Sequence, residues 1–250
     1  MPALWFVVPA HGRHALTAIC LRQLRRTCDA LTGEGIEATA VVIASDENLD
    51  TARALGFGTI ERDNRFLGRR YNDGIQLACD PAYNPRPAEY VVPCGSDDWV
   101  DHRILLELPP IDTVLGFQHI SFVREDCAEL TSRFLNYPGG CGIRIYPRQV
   151  VERLGYRPCD EDRERACDSS ILTNLRRADA LKLAHGDIDP RQIVDWKSPD
   201  AQLNTYEAVS VRYRRESAGD PFTELEGVFP VEALREMAAH YNRNRELVTA

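Results

Sequence analysis

The chain has 250 residues, 44% hydrophobic and 27% charged, which suits one large α/β domain or two small ones in a globular protein. A formal charge of -8 and a pI of about 5.3 argue against a binder of nucleic-acid backbone, which would carry a basic patch; an anionic small ligand met by local arginines or a metal stays open. No apolar run approaches the ~20 residues that span a bilayer, and the run at 4–10 is too short and lacks the basic flank of a signal peptide, so a cytoplasmic protein without a membrane span is expected.

In chain order, 4–9 is a compact apolar run and the first predicted strand, ending in the loop Pro9-Ala10-His11-Gly12-Arg13. Leu16, Ile19, Cys20, Leu24, Cys28 and Leu31 then repeat at three and four, which predicts a helix stopped by Gly33 and Gly35. A buried strand is predicted at 38–44, a short helix at 49–55 and a third strand at 59–61. A helix over 69–79 turns Tyr71, Ile75, Ala78 and Cys79 inward. After a proline-bearing link, the apolar run from Tyr90 to Pro93 ends in Cys94-Gly95-Ser96-Asp97-Asp98-Trp99. The β-α-β-α-β-α-β rhythm is that of a parallel sheet with covering helices. Right-handed crossovers gather the strand-exit loops on one edge, where such sheets bind ligands. Asp46, Arg69, Arg70, Asp97 and Asp98 are therefore expected to share one site.

The second half has another texture. Residues 113–123 read as one or two strands, open to antiparallel pairing. The glycine-rich loop Gly139-Gly140-Cys141-Gly142 precedes a strand at 143–146. Short helices are predicted at 147–154, with proline in the first turn, and at 168–177; 160–165 is a charge run, and 230–247 forms a final amphipathic helix. No internal repeat and no clear linker divides the chain. The eight cysteines, among them Cys20, Cys28, Cys94 and Cys167, form no C-x-x-C pair, so reduced and mostly buried thiols are expected.

Asp97 and Asp98 repel one another at a strand exit. Hard divalent cations such as Mg²⁺ or Mn²⁺ take such oxygen ligands and share them with phosphates; the alternative is a solvated acidic turn.

Four segments in this order resemble the nucleotide-sugar glycosyltransferases of the GT-A fold, family 2 in particular. Val-Val-Pro-Ala-His-Gly-Arg at 7–13 resembles their first strand exit, and Ile43-Ala44-Ser45-Asp46 the end of their second strand. Leu67-Gly68-Arg69-Arg70-Tyr71-Asn72-Asp73-Gly74 resembles their "G-x-x-x-N-x-G" helix start, and Gly95-Ser96-Asp97-Asp98-Trp99 their D-x-D-D-W motif. The resemblance is good over roughly the first 105 residues and weak beyond. It implies a Rossmann-like nucleotide-binding sheet with an antiparallel acceptor-side extension, forming a single domain over 1–250: a nucleotide-sugar half at 1–105, an acceptor and catalytic half at 106–220 and a C-terminal helix at 221–250. It further implies a UDP- or GDP-sugar donor and Mn²⁺ or Mg²⁺ as cofactor; the lack of an apolar spanning run favours a soluble glycan or protein acceptor, and the acidic charge favours no nucleic-acid partner.

On the resemblance, Asp97 and Asp98 hold the metal, with His185 as a late third ligand. Pro9, His11, Arg13, Asp46, Arg69, Arg70, Asn72, Ser96, Asp97 and Gly140 meet the donor. Guanidinium groups suit phosphate oxygens. Asp46 contacts the base or caps a helix. Asp168 is the general base of an inverting transfer, or a helix cap, with Cys167 where the family carries Glu. The stretch Asp195-Trp196-Lys197 is an alternative lid over the diphosphate from a C-terminal loop. Trp99 packs beneath the carboxylates or faces the acceptor, packing being the safer reading. Gly95 departs from the pattern, since it stands where the family has its first acid. Two other readings remain: a nucleotidyltransferase, although no G-x-G-T-R loop follows the first strand, and a degenerate domain that binds nucleotide or a partner without turnover.

Overall fold

A computed structural model of the chain describes residues 1–124, 130–134, 142–197, 216–217 and 220–248. Three apolar runs become strands largely buried on both faces, as interior parallel strands are, and a fourth, half-buried strand closes the edge. They are β1 (Ala3–Pro9), β2 (Glu37–Ala44), β3 (Gly58–Glu61) and β4 (Tyr90–Pro93). Between them run α1 (His14–Gly33), α2 (Asn48–Ala54) and α3 (Leu67–Cys79). The strands pair in parallel, with Pro9 opposite Ile43 and Val7 opposite Pro93. The expected βα rhythm and the gathering of strand exits on one edge are both observed.

The next elements are β5 (Asp98–Val100), β6 (Val114–Phe117), β7 (His119–Arg124), β8 (Leu130–Phe134) and β9 (Arg144–Pro147). They are followed by α4 (Arg148–Glu152), α5 (Cys167–Arg177), β10 (Leu183–Gly186), β11 (Ile193–Lys197), β12 (Glu216–Ser217), α6 (Pro221–Glu224) and α7 (Val231–Val248). A seven-stranded sheet has the order β10-β6-β9-β4-β1-β2-β3 and is parallel except at β9. A five-stranded sheet, β12-β8-β7-β11-β5, branches from the exit of β4. The fold is mixed α/β, a mostly parallel sheet carrying an antiparallel extension as expected.

Alternation along β1 and β2 splits the core. Leu4, Phe6, Val8, Ala40 and Val42 pack under α1 and α2. Val7, Val41 and Ile43 pack under α3, with α5 beside it. A third cluster joins the outer face of α1, through Leu16, Ile19 and Cys20, to Trp99, Trp196 and the α7 residues Leu234, Met237 and Tyr241. Trp99 makes edge contacts with Trp196 at 4.9 Å and Phe229 at 5.1 Å between ring centroids. It lies in the core beneath the carboxylates, as the safer reading has it. Burying each such side chain contributes about 1.5–3 kcal/mol, so this cluster fixes the strands that carry the acids. The six described free cysteines are all buried, and burial pushes the Cys28 and Cys79 thiols up to about 12. Cys127 and Cys141 lie outside the described residues.

Candidate functional site

At the C-terminal edge of β1 and β4 lies a cleft of about 500 Å³. The exits of β1 (Pro9 to Arg13) and β4 (Gly95 to Asp98) form its floor, with walls from α3, α5, β9 and β11. Three helices begin at its rim. Each is preceded by a non-glycine residue in the left-handed region: Arg13 at φ 44° before α1, Phe66 at φ 60° before α3 and Ala166 at φ 56° before α5. Such backbone costs roughly 1–3 kcal/mol per residue and concentrates at ligand sites. It turns the partially positive N-terminal ends of α1, α3 and α5 toward one space, which favours an anion there.

Acidic side chains form the opposite charge centre. β5 pairs antiparallel with β11, which sets Asp195 directly opposite Asp98. Trp196 N–H donates to the Asp97 carbonyl at 2.9 Å and extends that pairing by a residue. One carboxylate oxygen from each of Asp97, Asp98 and Asp195 lies within 4.8 Å of the others. Asp195 is 9% exposed. A set of three hard oxygen donors at a cleft wall fits Mg²⁺ or Mn²⁺.

Gly95 acquires a physical reason here. A Cβ at this position would stand 2.7 Å from Asp98 Oδ2 and 2.9 Å from Asp97 Oδ1. The Gly95 N–H also donates to Asp98 Oδ2 at 2.6 Å. The space a first acid would need is filled by the two carboxylates that follow, and the third acid arrives from β11 instead. Gly95→Ala is expected to push both carboxylates out of place while leaving the distant cores alone. Titration with Mn²⁺ should read at least about tenfold weaker binding, with a melting point within a few degrees of the parent.

Arg13 bridges the two charge systems. Its guanidinium donates through Nη1 to Asp97 Oδ2 at 2.7 Å and through Nη2 to Ser96 Oγ at 3.3 Å. Burial opposes its charge, but Asp97, with Asp195 behind it, more than offsets this and raises its pKa above the ordinary value. Arg70 is buried in the cleft wall, where desolvation lowers its pKa, and donates to the Ala10 carbonyl at 3.2 Å. On the α5 side, Asp168 lies 3.6 Å from the Nη1 of Arg144, a cation only 2% exposed on β9. Beside them Tyr146 lines the cleft, its phenol pushed up to about 12 by burial.

Pro9, His11, Arg13, Arg70, Ser96, Asp97, Asp98 and Asp168 thus come together at one cleft. Others stand apart from its lining. Asp46 accepts from Gly12 N–H at 2.8 Å and Asn48 N–H at 3.1 Å, tying the β1 exit loop to the start of α2, whose N-cap residue is Glu47. Asn72 is fully buried and exchanges two hydrogen bonds with the Cys159 backbone, at 2.9 and 2.8 Å. Arg69 is exposed over the Phe66 ring. His185 is exposed on the edge strand β10, away from the acidic cluster. Gly140 lies outside the described residues; its neighbour Gly142 lines the cleft. Asp195, expected only within a lid loop, is a strand residue and part of the acidic cluster. An aspartate inside the buried run Ile193-Val194-Asp195-Trp196 is the signal that identifies it, because a buried carboxylate needs a partner.

No protein-family model matches the chain, and no curated protein matches it. Among solved structures it is similar to a Drosophila galactosyltransferase mutant in complex with manganese, UDP-Gal and xylobiose (15% identity, 74% of this chain and 65% of that chain covered, TM-score 0.45). It is also similar to glucosyl-3-phosphoglycerate synthase from Mycobacterium tuberculosis in complex with phosphoglyceric acid (12% identity, 96% and 78% covered, TM-score 0.45). A third is 4-diphosphocytidyl-2C-methyl-D-erythritol synthase from Anaerococcus prevotii (11% identity, 74% and 89% covered, TM-score 0.44). At such identities and TM-scores, the chemistry of the cleft has to be read from its own side chains.

Proposed function

We propose that the protein is a GT-A glycosyltransferase: the cleft binds a nucleoside-diphosphate sugar, UDP- or GDP-linked, together with Mn²⁺ or Mg²⁺ and passes the sugar to the hydroxyl of a soluble glycan or protein. The observation that carries this is Asp195 set opposite Asp98, which makes a three-carboxylate cluster where three helix N-termini converge. A diphosphate with a divalent cation satisfies both charge systems at once, and neither does so alone. Asp97, Asp98 and Asp195 hold the cation, which when bound neutralises charge developing on the departing diphosphate. Arg13 and Arg70 face the phosphates, with guanidinium geometry suited to paired oxygens.

Asp168 is the proposed base of an inverting transfer. Arg144 lies 3.6 Å from this carboxylate, and a carboxylate at the cleft wall is placed to accept the proton of the attacking hydroxyl. No described helix is long and apolar enough to cross a membrane.

A melting panel of UDP-, GDP-, CDP- and dTDP-sugars with and without Mn²⁺ tests the proposal. Ligand at 100 times its dissociation constant adds about 2.7 kcal/mol, or roughly 5–10 °C for a chain of this size. One nucleotide is expected to shift the melt, and only with the metal. A panel with no shift overturns the proposal. Pyrophosphate release from a nucleoside triphosphate and a sugar phosphate would favour the nucleotidyltransferase reading.

A further inference from the structure

We propose that Arg13 is a tethered counter-cation: it holds Asp97 until a divalent cation arrives, competes with that cation, and when displaced turns to the donor's diphosphate. This rests on the donor and metal reading above and adds to it an order of binding and a coupling between the two ligands.

The geometry points to it from three sides. Three carboxylates whose oxygens lie within 4.8 Å of one another repel, and a cation beside them relieves that repulsion. Arg13 supplies one positive charge, at 2.7 Å from Asp97 and within the field of Asp195. Its backbone is fixed. Gly12 N–H is bonded to Asp46, the Arg13 carbonyl accepts from Thr17 N–H at 2.9 Å, and φ is held at 44°. Its side chain is less constrained, 22% exposed at the cleft and held by one carboxylate oxygen and one longer bond to Ser96 Oγ.

A divalent cation that takes Asp97 weakens this hold, because both cations need the same carboxylate. The released guanidinium remains tethered at the N-terminal end of α1, where a diphosphate would lie. By linkage, metal and nucleotide then favour one another: the metal removes the internal competitor of the nucleotide's own cationic partner.

The test uses the 250-residue chain, with free Mn²⁺ followed by electron paramagnetic resonance and UDP and GDP binding measured at saturating Mn²⁺. Arg13→Gln is expected to bind Mn²⁺ alone about tenfold more tightly and the nucleotide about tenfold more weakly, two changes of opposite sign. Arg13→Lys keeps the charge but not the paired donors, so Mn²⁺ affinity should stay near that of the parent while nucleotide affinity falls. A merely structural role for Arg13 would weaken both. Ser96→Ala, which removes the second hold without changing charge, should tighten Mn²⁺ by about two- to threefold; with Arg13→Lys it decides the matter if Arg13→Gln does not fold. If the parent binds Mn²⁺ and Arg13→Gln binds it equally or more weakly, the inference fails alone. If neither parent nor variant binds Mn²⁺, the metal site falls and takes the inference with it.

Discussion

Asp195→Asn is expected to abolish metal-dependent nucleotide binding and to leave the fold intact. The substitution keeps volume and planarity and removes one of three negative charges from a cluster whose oxygens lie within 4.8 Å of one another. Divalent affinity at an oxygen site follows the number of charged ligands, so Mn²⁺ binding should fall by about 100-fold or more. The sign of the stability change separates a ligand from a structural acid. Neutralising one of three crowded carboxylates relieves their mutual repulsion, whereas neutralising a partner in a buried ion pair costs stability. The variant should therefore melt at the parent temperature or slightly above, and Mn²⁺ should no longer help any nucleotide raise it. Unchanged metal dependence in Asp195→Asn would remove the three-acid site and with it the observation that carries the proposed function.

The contrast between Asp97 and Asp195 shows what a sequence reveals of such a site. The β1 to β4 half declares itself through continuous apolar runs and helical stripes, which are local signals, and right-handed crossovers then fix the edge on which the exits meet. Pro9, Arg13 and Asp97 were legible for that reason. β5 is three residues long and pairs with β11, almost a hundred residues away, so the short run Ile193-Val194-Asp195-Trp196 is a local trace of one strand but does not announce its partner. Asp195 consequently looks like a loop acid, and Gly95 like a missing ligand, until the register between the two strands is known. Arg144 escapes notice in the same way: it is a charged residue inside an apolar strand run, and its relation to Asp168 depends on β9 lying antiparallel to β4. Two other polar residues expected at the donor site stand outside the cleft lining. Asp46 and Asn72 match the donor-site resemblance by position, and in the fold both bond backbone groups, of Gly12 and Asn48 and of Cys159.

Gly68→Ala should be among the most destabilising single substitutions in the chain. A methyl group at this position would stand 2.0 Å from the Asp160 carbonyl oxygen, well inside contact distance, and the atom it meets is backbone rather than a movable side-chain end. The Gly68 N–H donates to the Arg163 carbonyl at 2.8 Å, Asn72 binds Cys159 four residues along the helix, and Ser170 and Asn174 on α5 hold Asp160 from the other side. The segment from Cys159 to Arg163 is thus clamped between α3 and α5 and cannot retreat without breaking one of these sets. Overpacking of a clamped segment costs about 3 kcal/mol or more, a fall in melting temperature of roughly 6–12 °C for a chain of this size. Gly33→Ala is the control: nothing lies within 4 Å of its added methyl, it sits at the end of α1, and it should be neutral or slightly stabilising. Because the clamped segment leads directly into Ala166 at φ 56° and then Asp168, the shift also misplaces the proposed base. Gly68→Ala should therefore lose transfer activity at temperatures where it is still folded, while nucleotide binding at the β4 exit is retained. A variant that melts within 1–2 °C of the parent would mean that α3 does not approach Asp160 so closely. A variant that loses nucleotide binding and transfer together would place Gly68 at the donor site, on the helix that carries the expected donor residues Arg69, Arg70 and Asn72.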